Sequence, residues 1–150
     1  MVQSSIALSC KNLTILNLDN NNLDGQVPKS FKNLKALTVF SLSRTNFMNL
    51  SSILNILQHC KIVLFPSENF QGKKILNDLD FRFGSLKILS IVYCELKGSI
   101  SLWLLDCNRL QFLDLSRNRL SGTIPSWFNE FKYPTWICQI IKSQVRYRKG

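Results

Sequence analysis

A set of apolar positions that returns at one fixed interval constrains this chain more than any other feature. Leu86, Leu89, Ile91, Cys94, Leu96, Gly98 and Ile100 are followed 24 positions later by Leu110, Leu113, Leu115, Asn118, Leu120, Gly122 and Ile124. Leu13, Leu16, Leu18, Asn21 and Leu23 return in the same way as Leu37, Phe40, Leu42, Thr45 and Phe47. Apolar residues two apart point to one face of a strand, and the leucines before and after them turn into the same narrow core. A chain of this kind coils, each turn burying one layer of leucines against its neighbours.

Asn21, Thr45, Cys94 and Asn118 stand where each coil bends out of its strand. An asparagine there can bond main-chain groups that would otherwise be buried unpaired, and Thr45 and Cys94 are smaller substitutes. Beyond the bend, Leu23 to Pro28 and Leu120 to Pro125 share the form L-x-G-x-I/V-P. The glycine permits a turn, and the proline, lacking an N–H, suits a turn or sheet edge. The expected architecture is an α/β solenoid, a right-handed superhelix with a parallel concave sheet, about five 24-residue repeats and no caps. The repeats fall near 13–36, 37–61, 62–85, 86–109 and 110–133, with 134–150 as a basic non-repeat tail. The third is degenerate, since Ile62 to Phe65 runs into Pro66, and Ser101 stands where the fourth should have its proline.

The segment from Leu113 to Pro125, L-D-L-S-x-N followed by L-S-G-T-I-P, resembles the plant extracellular subfamily of leucine-rich repeats. That subfamily occurs in receptor-like kinases, receptor-like proteins and polygalacturonase-inhibiting proteins. Leu18 to Leu34, Asn49 to Lys61 with Asn69, Phe70 and Gln71, and Leu96 to Phe128 resemble the middle of the ectodomain in the phytosulfokine receptor family. The resemblance implies non-catalytic recognition of a protein or peptide ligand at the outer face of the plasma membrane, with a co-receptor ectodomain as a further partner. It also implies a membrane span and a serine/threonine kinase domain outside this chain. In that family the sulfated hormone is held mainly by an island inserted later in the array, beyond the coil that Leu110 to Tyr133 resembles. No hormone-contacting residue is carried over, and the isolated array is expected not to bind the hormone with useful affinity. The alternative is a short secreted repeat binder resembling polygalacturonase inhibitors or receptor-like proteins.

Strand alternation sends every second side chain out of the concave face, in columns that run from coil to coil. One column is apolar, Ile15, Val39, Ile88 and Phe112, and the next is polar, Asn17, Ser41, Ser90 and Asp114. Asp19, Ser43, Val92 and Ser116 follow, then Asn20, Arg44, Tyr93 and Arg117 at the bend. The last three columns form the candidate binding surface, where Arg44 and Arg117 can pair with carboxylate or sulfate groups.

The net charge of +10 suggests nucleic acid, but its distribution argues against it. Half the excess comes from Lys132, Lys142, Arg146, Arg148 and Lys149, and no basic and aromatic platform accompanies it. Residues 1–12 lack a signal-peptide pattern, and no apolar run reaches the roughly 20 residues that span a bilayer. The chain therefore reads as an uncapped piece of a larger secreted product. Asn12 and Asn49 head N-x-S/T sequons, Asn49 being the better acceptor because Asn12 directly precedes a core leucine.

Five cysteines do not make a disulfide framework. Cys10, Cys60 and Cys107 take equivalent places in different coils, and residues two coils apart are separated by roughly 10 Å, beyond disulfide reach. With Cys94 they are expected as buried free thiols, whereas Cys138 falls in the tail. His59 beside Cys60 has no third group to complete a metal site or nucleophile, and is expected to cap a helix over 51–58. Asp78 and Asp80 read as solvated surface. No phosphate loop or kinase signature is present, and nothing calls for a cofactor.

Overall fold

The computed structural model describes residues 9–67, 81–130 and 137–139. Along the chain the strands are β1 (Ile15–Asn17), β2 (Asp24–Gly25), β3 (Val39–Ser41), β4 (Asn46–Phe47) and β5 (Ile62–Pro66). They continue as β6 (Ile88–Val92), β7 (Lys97–Gly98), β8 (Phe112–Asp114), β9 (Arg119–Leu120) and β10 (Ile137–Gln139). Six of them form one parallel sheet in the order β1-β3-β5-β6-β8-β10, so each coil lays its strand beside the one before. Two further parallel pairs, β2 with β4 and β7 with β9, follow the bends. The return path is a 3-10 turn in three coils, Lys29–Asn33, Leu102–Asp106 and Ser126–Glu130.

In the second coil the return is a helix, α1 (Leu50–Ile56). Leu50, Ile53, Leu54 and Leu57 are buried, the 3-4-7 spacing of a helix packed on one side. Asn49 is its N-cap, with Oδ1 accepting from the Ser52 amide at 3.2 Å.

One contiguous core runs through the array, and its layers are the leucines of the repeat. Leu37, Phe40 and Leu42 form one layer and Leu86, Leu89 and Ile91 another, each at most 2% exposed. Leu13, Leu16 and Leu18, in the first described coil, pack against this core while half-buried.

The expectation that the third coil loses its frame is corrected. β5 is a full strand, with Val39 opposite Ile62 and Ile62 opposite Ile88. The Lys61 amide donates to Thr38 O, and the Lys87 amide to Lys61 O, which places Cys60 at the first apolar position, equivalent to Leu37 and Leu86. Cys60, Val63 and Phe65 are therefore the third coil's L-x-x-L-x-L, all fully buried. The frame is irregular in sequence because the step from Leu37 to Cys60 is one position shorter than the regular repeat, and the step from Cys60 to Leu86 two positions longer. It also follows that Cys60 is not equivalent to Cys10 and Cys107; Leu57 holds that place.

Pro66 is accommodated by ending one ladder and not the other. The amides of β5 alternate between its neighbours, and the Ile62 amide donates toward β3. By that alternation Pro66 lacks the donor that would face β3. Pairing with β3 accordingly stops at Ser41 with Leu64, whereas pairing with β6 runs on to Pro66 with Val92.

Phe81, Phe83 and Trp103 close the third coil on its return side, with Trp103 at 5.3 Å from each phenyl centroid. A second departure lies past Tyr133, where the sequence reading ends the repeat frame. Ile137–Gln139 joins the sheet as β10, with Ile137 opposite Phe112 and Cys138 opposite Leu113. The side chains of that strand, and Asp78 and Asp80, lie outside the described residues.

Candidate functional site

The open face of the sheet carries the columns in the predicted register, each gaining a member from β5. Ile62 completes the apolar column between Val39 and Ile88, and Leu64 enters the polar one between Ser41 and Ser90. Pro66 stands opposite Val92. The centre of the face is thereby more apolar than the sequence suggests.

At the bend the next column is defined by backbone conformation. Asn20, Arg44, Ser67, Tyr93 and Arg117 all adopt left-handed φ, between 51° and 62°. Outside glycine this conformation is uncommon, and here the same place in each of these coils takes it because the chain must turn sharply out of its strand; Asn49 and Glu95 adopt it as well. All five residues of the column are exposed. Tyr93 is 63% exposed, and Arg44 Nη1 approaches Asn20 Oδ1 at 3.5 Å.

Several columned side chains are committed to holding the bend. Asn17 Oδ1 accepts from the Asp19 amide at 2.8 Å and Asp114 Oδ1 from the Ser116 amide at 2.9 Å. Ser41 Oγ donates to both Asp19 carboxylate oxygens, at 2.9 and 3.0 Å. Ser41 and Ser43 are only 6% and 7% exposed, so their hydroxyls are sheltered between longer neighbours and do not offer open contact surface. Asp19, Ser90, Val92, Asp114 and Ser116 are half-buried, and Asn17, Asn20, Arg44, Tyr93 and Arg117 are the exposed members.

Behind the bend, Asn118 makes the hydrogen bonds the repeat assigns to that position. Its Nδ2 donates to Ile91 O at 2.6 Å and Leu115 O at 2.9 Å, and its Oδ1 accepts from the Cys94 and Leu96 amides at 3.0 and 3.1 Å. Asn21 Nδ2 donates to Leu18 O and Asp19 O in the first coil. Thr45 is buried at the equivalent place.

A family model described as Leucine Rich Repeat matches residues 12–34 and 109–131. The fold is that of the leucine-rich repeats. An 89-residue stretch, 58% of this chain, is 49% identical to phytosulfokine receptor 1 of Arabidopsis thaliana and covers 9% of it. Receptor-like protein 3 of Arabidopsis thaliana is 33% identical over 140 residues, 73% of this chain and 18% of that protein. The chain thus spans less than a fifth of the length of either relative. Among solved structures, the Arabidopsis receptor kinase HAESA, in complex with the peptide hormone IDA and the co-receptor SERK1, superposes with a TM-score of 0.75. It is 27% identical, and the match covers 90% of this chain and 22% of that one.

Within this leucine-rich-repeat array the remaining candidates take structural places. Cys60, Cys94 and Cys107 are buried free thiols, but Cys10, in the first described coil, is exposed. Burial pushes Cys60 and Cys107 up to about 12, with the charge of Asp106 adding at Cys107. His59 does not cap α1. Its Nε2 donates across to Leu34 O in the preceding coil at 2.9 Å, the carbonyl being able only to accept. Its pKa is lowered by burial, opposed by the Leu34 hydrogen bond and assisted by the charge of Lys35.

Of the two sequons, Asn12 lies exposed in the turn before β1, and Asn49 is half-buried with Oδ1 engaged by Ser51 and Ser52. Among the described residues no group of three or more His, Cys, Asp and Glu could hold a metal ion, and no helix is long and apolar enough to cross a membrane.

Proposed function

We propose that the array is a stretch of a plant cell-surface receptor ectodomain whose open sheet face recognises a protein or peptide ligand without catalysis. The observation that supports this most is the 49% identity over 89 residues to phytosulfokine receptor 1, on a chain whose sheet presents one row of outward side chains per coil. Within that reading the contacts come from the exposed Asn17, Asn20, Arg44, Tyr93 and Arg117, with Asp19, Ser90, Val92, Asp114 and Ser116 as the half-open floor beside them. A co-receptor ectodomain is the further partner, Asn12 and Asn49 are glycan acceptors, and the site is at the outer face of the plasma membrane. The test is a chimera in which residues 13–130 replace the corresponding coils of the Arabidopsis receptor ectodomain. A folded, secreted chimera that still binds the sulfated hormone supports the array as a stretch of such an ectodomain, and one whose co-receptor binding is unchanged by Arg44→Ala/Arg117→Ala contradicts the open face as the recognising surface.

The 33% identity to receptor-like protein 3 over 140 residues favours a second reading, a repeat protein that binds its partner with no kinase attached. A transcript that joins these coils to a membrane span and a kinase excludes that second reading.

A further inference from the structure

Asn49 holds, in the second coil, the place that glycine holds in three others. Gly25, Asn49, Gly98 and Gly122 each stand two residues after the apolar residue that follows the bend, Leu23, Phe47, Leu96 and Leu120. All four adopt left-handed φ, at 83°, 68°, 89° and 91°. The backbone pairing agrees, since the Met48 and Ser121 amides donate to Gly25 O and Gly98 O, both at 2.8 Å. A Cβ added at Gly25 or Gly98 would have nothing within 4 Å, and at Gly122 it would meet Ser99 Cβ at 3.8 Å. The position therefore opens outward, beside the short pairs that follow the bends. Asparagine is one of the few residues besides glycine that visit this conformation, because its short polar side chain can bond locally.

The Asn49 carboxamide is engaged on one side only. Its Oδ1 accepts from the Ser52 amide at 3.2 Å and from Ser51 Oγ at 2.9 Å, which starts α1. Its Nδ2 makes no hydrogen bond among the described residues. The same residue heads the sequon Asn49-Leu50-Ser51, in which Ser51 is the required hydroxyl residue. A sugar bonded to Nδ2 leaves the amide carbonyl in place, so Oδ1 keeps its lone pairs for the cap.

We propose that Asn49 is a glycan-bearing helix cap, whose carboxamide holds α1 through Oδ1 and carries an N-linked oligosaccharide on Nδ2. This rests on the reading of the array as extracellular, and goes beyond it by giving one acceptor a structural task that the glycan leaves intact. The donor is a lipid-linked oligosaccharyl diphosphate. Nδ2 loses a proton to a base of the transferase and bonds to the anomeric carbon; the bond from that carbon to the diphosphate oxygen breaks, and the lipid diphosphate leaves with the electron pair. With Oδ1 turned into the helix end, the oligosaccharide leaves from Nδ2 into the kind of open space found at the equivalent glycines.

The test expresses the full chain behind a heterologous signal peptide in plant cells, so that exposure to the transferase does not depend on the chain's natural destination. Peptide mass spectrometry after enzymatic deglycosylation is expected to find Asn49 occupied, and Ser51→Ala to lose that glycan. Asn49→Asp removes the acceptor nitrogen and keeps a capping oxygen, so its thermal midpoint should stay within about 2 °C of the glycosylated parent. Asn49→Ala removes both and should fall by about 4 °C or more, failure to accumulate counting as the larger loss. Asn49 left unmodified overturns the proposal, whether or not Asn12 carries a glycan, and so does an Asn49→Asp variant that loses as much as Asn49→Ala. Neither result bears on the ectodomain reading, which stands or falls with the chimera.

Discussion

Cys94 and Asn118 occupy the same bend in consecutive coils and reach equivalent carbonyls of the coil before. Cys94 Sγ stands 3.1 Å from Phe65 O, and Asn118 Nδ2 stands 2.6 Å from Ile91 O, Phe65 and Ile91 being partners in the sheet. The thiol takes over the amide's role as donor. A thiol sulfur is a weaker acceptor than Oδ1, through which Asn118 also accepts from the Cys94 and Leu96 amides.

Replacing Asn118 should therefore cost more than replacing Cys94. Asn118→Ala removes the side-chain partner of two amides and three carbonyls, and about 2–3 kcal/mol of stability should be lost. Cys94→Ala removes one weak donor and a small packed volume, for a loss of about 1 kcal/mol. Urea denaturation of the two variants side by side measures the difference, and equal losses would mean that the ladder does not depend on the acceptor oxygen.

Ser101 stands where the first and last L-x-G-x-I/V-P segments have Pro28 and Pro125, and its backbone already has the shape of a proline. Its φ and ψ are −78° and 141°, against −58° and 131° at Pro28. Its hydroxyl is buried with no partner. Ser101→Pro should raise stability by about 0.5–1.5 kcal/mol, through a less free unfolded chain and removal of the unpaired hydroxyl. A lower thermal midpoint in that variant would contradict this account of the return turn.

His59 makes stability pH-dependent in a defined direction. The unfolded imidazole titrates near its ordinary 6.5 and the folded one lower, chiefly because it is partly buried. Between those two values the unfolded chain holds more protons, so stability present above 6.5 is lost as pH falls through the folded pKa. Comparing urea midpoints across that range, the parent should lose more than His59→Gln, and parallel curves would remove His59 as the cause.

The buried thiols should be chemically silent. With Cys60 and Cys107 pushed up to about 12, almost no thiolate exists at mildly alkaline pH. Iodoacetamide followed by peptide mass spectrometry should find Cys10 modified in the native chain and Cys60 and Cys107 modified only after denaturant is added. Native labelling of Cys107 at the rate of Cys10 would show that the core opens at that layer.

The evenly spaced coils were legible in the sequence because each core position there repeats both its chemistry and its interval. Cys60, Val63 and Phe65 keep neither. The interval is uneven, and a cysteine leads, so only the backbone pairing of Lys61 with Thr38 and Lys87 identifies the layer. The outward columns followed from alternation, whereas the sheltering of Ser41 and Ser43 depends on neighbours in the adjoining coil, such as Asp19. The left-handed column was hidden for a related reason. Asn20, Arg44, Ser67, Tyr93 and Arg117 share a conformation imposed by the bend and no common side-chain chemistry. The reach of His59 to Leu34 O likewise crosses between coils, where local pattern carries no information.

Everything assigned to the open face depends on β5 carrying the sheet across a stretch whose sequence departs from the repeat. Amide hydrogen exchange on the full chain tests this directly. The amides of Ile62 to Phe65 are predicted to be protected to the same degree as those of Ile88 to Ile91 and to open with them as one unit. Exchange of the β5 amides at unprotected rates, while β6 and β8 remain protected, would show that the face is broken at the third coil and would contradict the account.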